Sequence, residues 1–510
     1  MITTAKARYG ALKKDRQPYL ERAEQCAEVT VPYLMPAEGK RNQVLPTPWQ
    51  SLGARAVNNL ASKLLLALMP PSEPFFRLDV ADSVMNAASG GNPDARVEIE
   101  NGLVAVERAV MSEVDQRADR ISAFEAFKQL VVAGNVATYI PPDERMRVFP
   151  LNQYVSQRDP SGNLLLLIVR EEVARATLSK EVAELVATEA PNKKGARVDD
   201  EDNVEIYTVV ERQGDLATYH QEIEEVVIPD SKGMSPLGSC PYQVLGWSRV
   251  DGENYARGYC EEYLGDLQSL DGLAQALIEG AAAAARLVFL RNPMGSTKLD
   301  AFKKAGNGDV IDGQEGDISA VQVGKFADYR IVHDKEKNLE QRLSQAFLMS
   351  GSVTREAERV TAQEIRFMAN ELEESLGGVY SVLSQEFQLP YLKRRMATMT
   401  AQGRLPALPK DLVEPTIIGG LDALGRNLEM SKAVTFTRAS VELLGPEVVQ
   451  RELNAARVLK FVGVQVGFDV SSLLNTPEEA QAIAQQQRQA ETMKTLGPEM
   501  MRQGGQPPQQ

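Results

Sequence analysis

Two amphipathic helical stripes that flank a short strand-rich segment constrain the fold of this chain more than any other feature. In the first stripe, apolar residues recur every three or four positions, at Tyr263, Leu267, Leu270, Ala274, Leu277, Ile278 and Ala281. The patterns predict one helix from Tyr259 to Arg286 and another from about Asp334 to Met349. Residues 287–325 lie between them, so we expect a small strand module inserted between two long helices.

Residues that favour turns divide this inserted segment. Glycine tolerates positive φ, and Asn, Asp and Pro each favour particular turn positions. The turn candidates are Asn292, Pro293, Gly306, Asn307, Gly308, Asp309, Asp312 and Gly313. We therefore expect short strands over residues 287–290, 309–311 and 318–323, joined by exposed turns.

A polar segment, residues 350–359, follows the second helix. It consists of Ser350, Gly351, Ser352, Val353, Thr354, Arg355, Glu356, Ala357, Glu358 and Arg359. Arg355 and Arg359 sit on a predicted loop between two strong helices, an arrangement suited to a contact with a polyanion. The following helix, residues 360–395, is the longest, and Gly377 and Gly378 at its middle predict a kink.

The first 255 residues mix helical and strand patterns. Thr47 and Pro48 predict a helix start, with the threonine as N-cap and the proline as the first helical residue. We expect a β-hairpin over residues 154–170, a loop over residues 82–94 and a single strand over residues 222–228.

The last part of the chain carries weaker patterns. Helical patches follow residue 396, and residues 476–510 are rich in glutamine, which predicts a helix followed by a disordered tail. The fold class predicted from all these patterns is α+β and predominantly helical.

The composition of the chain narrows the range of functions that it can have. The net charge is −14, and strong nonspecific DNA binding depends on Lys and Arg neutralising phosphates, so a repressor or polymerase is disfavoured. An acidic protein still suits a channel along which DNA slides without sticking. No apolar run approaches the ~20 residues of a membrane span, and no signal-peptide pattern is present, so we expect synthesis and assembly in a cytoplasm.

Motifs for catalysis are missing from the sequence. Three widely spaced cysteines and two histidines offer little material for a metal site or a disulfide framework. Phosphate-binding and dinucleotide loops, a serine elbow and a zinc-protease motif are absent, so we expect no catalytic residue, cofactor or metal. Two alternatives stay open: a carboxylate-metal nuclease built on one of the acidic clusters, and a monomeric helical scaffold or adaptor protein.

Several sequence blocks together carry a family resemblance. They are TPWQ at 47–50, NNLASKL at 58–64, FEAFKQLVVAGN at 124–135, YVSQRDPSGN at 154–163, DGENYARGYCEEYLGDLQSL at 251–270, residues 358–390, and LPKDLVEPTIIGGLDALGR at 408–426. In this order they resemble the portal, or head-to-tail connector, proteins of short-tailed double-stranded DNA bacteriophages of the autographivirus type. The resemblance spans about residues 10–430.

The resemblance implies a portal fold, with the following parts. The wing would be residues 1–255, the two stem helices 256–286 and 326–349, the clip 287–325, the tunnel loop 350–359, the long kinked wing helix 360–395 and the crown 396–475. By the same resemblance, the tunnel loop would contact DNA, and the turn residues of the clip would contact an adaptor or the terminase.

The implied function is a homo-oligomeric ring, a dodecamer, at one capsid vertex of the virion. Double-stranded DNA would be packaged and ejected through it. The implied partners are the terminase, which supplies ATP hydrolysis, a tail adaptor, the major capsid and scaffolding proteins, and internal core proteins. No membrane and no active site belong to this function.

Overall fold

The structure is a computed structural model of the 510-residue chain. It describes residues 4–36, 44–71, 74–90, 92–189, 203–284, 288–321, 326–349, 371–372, 374–376, 378–406, 413–417, 435–443, 445 and 458. The chain divides into two compact units. One comprises residues 1–77, 109–407 and 415–420, and the other comprises residues 78–108, 408–414 and 421–510.

Helices dominate the described residues. They are α1 (Ala5–Glu28), α2 (Leu52–Leu68), α3 (Asp82–Ser89), α4 (Pro93–Gln116), α5 (Asp119–Ala133), α6 (Lys180–Glu189), α7 (Tyr259–Glu262), α8 (Leu264–Ala284), α9 (Leu299–Lys304), α10 (Phe326–Ala346), α11 (Val379–Leu383) and α12 (Leu389–Ala401). A π-helical turn, Ser384–Gln388, joins α11 to α12, and residues 435–443 are also helical.

The strands of the described residues form four sheets. They are β1 (Phe76–Val80), β2 (Asn135–Tyr139), β3 (Arg147–Pro150), β4 (Tyr154–Arg158), β5 (Leu164–Ala174), β6 (Asn203–Gln213), β7 (Leu216–Ile223), β8 (Val226–Pro236), β9 (Tyr242–Gly246), β10 (Val288–Arg291), β11 (Ile318–Val321) and β12 (Val413–Ile417). Strands β4 to β8 form a five-stranded sheet in sequence order, β3-β2-β9 form a three-stranded sheet, and β10 pairs with β11. The predicted fold class, α+β and predominantly helical, is confirmed.

Helix α1 covers part of the five-stranded sheet. Ala5 and Tyr9 on this helix share a buried apolar cluster with Val155, Ile168 and Val209 of the sheet. Burying such side chains removes apolar surface from water and stabilises the fold by about 25 cal/mol per Å². The sheet and the helix therefore form one layer pair within the larger unit.

The predicted hairpin over residues 154–170 is confirmed. Strands β4 and β5 pair antiparallel, with Tyr154 opposite Val169. In the turn, the Asp159 Oδ1 accepts a hydrogen bond of 2.8 Å from the Asn163 N–H, which closes the loop as an aspartate at this position favours.

The predicted start of the second helix at Thr47 and Pro48 is wrong, because α2 begins at Leu52. The N–H groups of Trp49 and Gln50 instead donate to the Asp271 Oδ1, at 2.7 and 3.2 Å. The Gln50 side chain then accepts from the Gly53 N–H at 2.7 Å and takes the capping role. The contact with Asp271, which is far away in the sequence, thus keeps these residues out of the helix that the local sequence predicts.

Three strand and loop predictions are also wrong. Residues 82–94 contain helix α3 and the start of α4 instead of a loop, and Gly90 ends α3 with a φ of 58°. Residues 222–228 do not form one strand, because Glu224 and Glu225 have φ values of 49° and 72° and turn the chain from β7 into β8. Residues 309–311 lie in a loop, because the pairing partner of β10 is β11.

Helix α5 is central to the larger unit and packs against α1, α2 and α7. Ala126, Phe127 and Leu130 on this helix are fully buried. None of the helices in the described ranges is both long enough and apolar enough to cross a bilayer.

Candidate functional site

The two predicted long helices are present as α8 and α10, which pack against each other; we call them the helix pair. Leu267 and Leu270 of α8 and Leu343 of α10 are buried. Arg342 of α10 forms a 2.7 Å ion pair with Asp266 of α8. The helix expected over residues 256–286 begins at Tyr259, and between there and Ala284 it is interrupted at Tyr263, between α7 and α8.

Aromatic side chains pack between the residues before α8 and the residue that follows α10. The ring centroid of Phe347 lies 5.1 Å from that of Tyr259 and 5.6 Å from that of Tyr263. The Tyr259 hydroxyl donates to the Ala346 carbonyl at 2.8 Å. Such rings interact favourably beyond the surface that they bury. The helices of the pair therefore run antiparallel, and residues 288–321 extend from the opposite end.

The charges of the first helix have one sign. Between Tyr259 and Ala284 the charged residues are all acidic: Glu261, Glu262, Asp266, Asp271 and Glu279. Burial and the neighbouring Glu261 raise the pKa of Glu262 above its ordinary value. Because phosphates are bound by Lys and Arg, this helix presents nothing that would hold a nucleic acid tightly.

We call residues 288–321 the inserted module. Strands β10 and β11 pair antiparallel, with Leu290 opposite Ser319. Helix α9, which the sequence did not predict, lies between them in the chain, and its Phe302 ring contacts the Phe289 ring at a centroid distance of 5.3 Å. The module is thus a small α/β element inserted between the two helices.

A buried aspartate ties together two loops of the inserted module. The Asp317 Oδ2 accepts hydrogen bonds from the Thr297 N–H and hydroxyl, both at 2.9 Å, and from the Ser296 hydroxyl at 3.2 Å. The bonds from Thr297, first of all the backbone one, hold the pKa of Asp317 below its ordinary value. At Gly295 and Gly313 a Cβ would lie 2.4 Å from Asp317 and 2.3 Å from Thr297, so both loops approach too closely for a side chain.

The turn residues predicted for the clip are exposed in the inserted module: Asn292, Pro293, Gly306, Asn307, Gly308, Asp309, Asp312 and Gly313. Two of them lie next to Asp317 and its hydrogen-bond partner Thr297. The Asn292 N–H donates to the Asp317 carbonyl at 2.8 Å, and Gly313 packs against Thr297. Gly306 and Asp309 belong to a separate turn, in which the Gly306 N–H donates to Asp309 Oδ2 at 2.6 Å.

Sequence reasoning missed the residues that organise these loops, namely Asp317, Thr297 and Ser296. An aspartate directly before a strand and a Ser-Thr pair after a glycine are weak signals taken singly. Only their approach across the module turns them into one hydrogen-bonded unit.

The other predicted site residues fall largely outside the described residues. This holds for the whole of 350–359, including Arg355 and Arg359, and for Gly377. Gly378 is described: its φ is 88°, and helix α11 begins directly after it at Val379. The kink at the glycine pair stays a prediction.

Among the described residues, no group of three or more His, Cys, Asp or Glu side chains is placed to hold a metal ion. Cys26, Cys240 and Cys260 are free and buried. Burial raises the pKa of the Cys26 thiol to about 12.

The described residues thus form an antiparallel helix pair with a small α/β module at one end and a body of helices and antiparallel strands. The chain belongs to the bacteriophage head to tail connecting protein family, whose model matches residues 2–474. The predicted family resemblance is thereby confirmed.

The relatives agree with this assignment. The chain is 39% identical over 490 residues to the portal protein of Enterobacteria phage T3, which covers 94% of this chain and 90% of that protein. It is 38% identical over 494 residues to the portal protein of Escherichia phage T7, which covers 95% and 91%. Among solved structures, the neck of an empty GTA particle aligns over 75% of this chain and 86% of that one with a TM-score of 0.33 and 13% identity.

Proposed function

We propose that this chain is the subunit of a portal ring at one capsid vertex, through which phage DNA is packaged and later ejected. The observation that carries the proposal is the extended similarity to the T3 and T7 portal proteins, which includes the helix pair and runs through most of the chain. The terminase would supply ATP hydrolysis, and the ring would supply the passage and a docking surface.

The helix pair and the inserted module support this assignment of parts. In the proposal, α8 and α10 are the stem that lines the tunnel, the inserted module is the clip, residues 1–255 with the long helix are the wing, and residues 396–475 are the crown. An α8 surface whose charged residues are all acidic suits a tunnel wall, since DNA passing it would be repelled instead of held.

The proposed partners follow from the same parts. Copies of this chain would close into a ring, because head-to-tail contacts form a ring when the rotation between neighbours fits a whole number of subunits. The number proposed, twelve, is the one that the portal resemblance implies. The exposed clip turns, among them Asn292, Asp309 and Asp312, would dock the terminase and later a tail adaptor. The wing would meet the capsid and scaffolding proteins, and the crown would meet internal core proteins, in a virion assembled in the host cytoplasm.

We assign weak contact with DNA to residues 350–359, the proposed tunnel loop. Arg355 and Arg359 are the basic residues of this segment, and a pair of guanidinium groups per subunit suffices for weak, exchanging contacts with phosphates. If rings that lack 350–359 still packaged and retained DNA as the wild type does, this assignment would be wrong.

Electron microscopy of the purified protein tests the main proposal. Negative-stain images should show closed rings with a central hole. A carboxylate-metal nuclease would instead cleave DNA when a divalent metal is added, and a scaffold or adaptor would stay monomeric at micromolar concentration. Either of these results, without rings, would overturn the portal assignment.

A further inference from the structure

A cavity of about 510 Å³ lies beside helix α5 in the larger unit, and the proposed function assigns it no role. Its apolar walls include Leu34, Leu45, Phe124 and Pro150. Cavities of roughly 300–1,000 Å³ are the sites at which proteins enclose ligand groups. This cavity therefore has room for a large side chain of another molecule.

Exposed apolar side chains surround the opening of the cavity. Tyr33 and Ile121 line it, and they are 62% and 63% exposed. Val44, which directly precedes the lining residue Leu45, is 99% exposed. Single apolar residues are common on protein surfaces, but a group of them around one concave site is typical of a contact with another protein.

The wall of the cavity is fixed before anything binds. Gln129 of α5 is fully buried, and its Nε2 donates to the Leu34 carbonyl at 3.0 Å. Helix α5 itself packs against α1, α2 and α7. A preformed site loses little conformational entropy on binding, so a short segment of a partner can bind there.

Lys128 places a positive charge at the cavity. Its Nζ lies 4.9 Å from the centroid of the Phe124 ring and 5.7 Å from that of the Tyr33 ring. The side chain is half-buried, and it forms no ion pair with a carboxylate of the described residues. Ring faces attract a cation, but a carboxylate forms a stronger, charge-assisted hydrogen bond with it. Lys128 can therefore still bind an incoming carboxylate.

A second cation, Arg16, lies behind one wall of the cavity. Its Nη1 donates to the carbonyls of Leu151, Asn152 and Tyr154 at 3.2, 3.1 and 2.9 Å. These acceptors are neutral, so they do not cancel the charge of the buried guanidinium group. Asn152 also lines the cavity. Because charges are screened less inside a protein than in water, Arg16 adds to the positive potential at this wall.

One acidic residue, Glu125, also lines the cavity. It is exposed, whereas Lys128 is half-buried, and no ion pair joins the two side chains. Water and salt screen an exposed charge more strongly than a half-buried one. The cavity therefore favours an anionic group, and Glu125 should repel that group only weakly.

We propose that this cavity binds a peptide segment of another protein, which places one large apolar side chain between the walls and a neighbouring carboxylate on Lys128. The exposed side chains at the opening extend the contact beyond the cavity, and a small molecule would leave them in water. This inference goes beyond the proposed function, because it requires neither a ring nor a tunnel.

Fluorescence anisotropy of labelled peptides with the purified full-length protein tests the proposal. The probe is a peptide in which one leucine is flanked by glutamates. In one control peptide lysines replace the glutamates, and in the other alanine replaces the leucine. We expect the probe to bind at least about tenfold more tightly than either control, because the charge-assisted hydrogen bond and the buried leucine each contribute that much.

Substitutions in the protein separate the charge from the apolar contact. Lys128→Met keeps an apolar stem and should weaken binding of the probe about tenfold, whereas Lys128→Arg should retain it. Glu125→Gln should strengthen binding about twofold, because it removes a screened repulsion. Lys232→Gln removes an exposed cation on β8 instead, and as the matched control it should leave binding unchanged.

If Lys128→Met does not fold, Ile121→Asp at the exposed opening takes its place. It removes an apolar contact and adds a negative charge, so it should also weaken binding of the probe by about tenfold. Lys232→Gln stays the control for this variant.

Equal binding of the glutamate and lysine peptides, or wild-type binding by the Lys128 and Ile121 variants, would overturn the inference. Binding by separate subunits but not by assembled rings would overturn it too, because a second copy of the chain would then cover the cavity. The portal proposal is tested by the presence of rings, so its failure and the failure of this inference are distinguishable.

Discussion

At the scale of single residues, a buried ion pair on Asp119 links three parts of the larger unit. The Asp119 Oδ2 accepts from Arg395 at 2.7 Å and from the Tyr391 hydroxyl at 2.6 Å, and Asp119 Oδ1 accepts from the Met146 N–H at 2.7 Å. Arg395 also donates to the Pro141 carbonyl at 2.8 Å. Both charged side chains are almost completely buried, so each depends on the other.

We predict that Asp119→Asn lowers the free energy of unfolding by about 3–5 kcal/mol, because it leaves the Arg395 charge buried without a counter-charge. Thermal or urea unfolding measures this. The control is Lys6→Ala, which breaks the exposed pair with Glu205 and should cost at most about 1 kcal/mol. Equal losses in the free energy of unfolding would show that the buried pair contributes no more to stability than the exposed pair.

At the scale of elements, the end of α5 illustrates a local signal that the structure upholds. Gly134 ends this helix with a φ of 71°, a conformation that favours glycine at a helix end. The structure adds a second reason for glycine here. A Cβ on Gly134 would lie 2.3 Å from the carbonyl carbon of Arg257 and 2.4 Å from the nitrogen of Gly258. Both are backbone atoms, so the clash could be relieved only by moving the chain itself.

We predict that Gly134→Ala destabilises the protein by at least about 2 kcal/mol, from left-handed backbone strain together with the clash. Gly10→Ala is the matched control. Gly10 lies inside α1 with open space around it, so an alanine there should stabilise by about 0.5–1 kcal/mol. Unfolding measurements on both variants should therefore change in opposite directions, and a shared direction would contradict the argument.

Element boundaries were predicted well where neighbours in sequence decide them. The hairpin turn at Asp159 and Asn163 and the two helices α8 and α10 follow from residues within a few positions of each other. The turn at Glu224 and Glu225 was missed, because two glutamates with positive φ are rare in such a turn and carry no sequence signal.

The long helix shows the same limit. The long helix was predicted to end at residue 395, but α12 runs from Leu389 to Ala401 and contains Pro390. A π-helical turn precedes it, so Pro390 falls in the first turn of a new helical segment, where its missing N–H costs little.

At the scale of the whole molecule, the acidic character of α8 yields a prediction that rests on the portal proposal. Glu279 is exposed on this helix, and Glu184 is exposed on α6, away from the helix pair in the sequence. If α8 lines a tunnel, Glu279→Lys places one cation per subunit along the DNA path, whereas Glu184→Lys changes the net charge equally at another place.

We expect Glu279→Lys rings to slow DNA passage and to bind double-stranded DNA more tightly at low salt. The gain should fall steeply with salt, since each phosphate neutralised adds about 0.9 to the slope of log affinity against log salt. Binding titrations at several salt concentrations measure it. Equal gains from Glu184→Lys would mean that net charge, and not a tunnel wall, is responsible.

The sequence alone determined the family and the order of the main parts: helix, inserted strand module, helix, polar segment. Helical periodicity, turn residues and the sequence blocks that carry the family resemblance are properties of neighbouring residues, and they do not depend on what the chain packs against.

Only the tertiary structure decided how distant residues complete these elements. Asp271 accepts hydrogen bonds from the N–H groups of Trp49 and Gln50, and α2 therefore begins only at Leu52. Asn59 completes the end of α10 from a position far away in the sequence. Hydrogen bonds across long sequence separations depend on packing, because a buried polar group takes whichever partner the fold brings near.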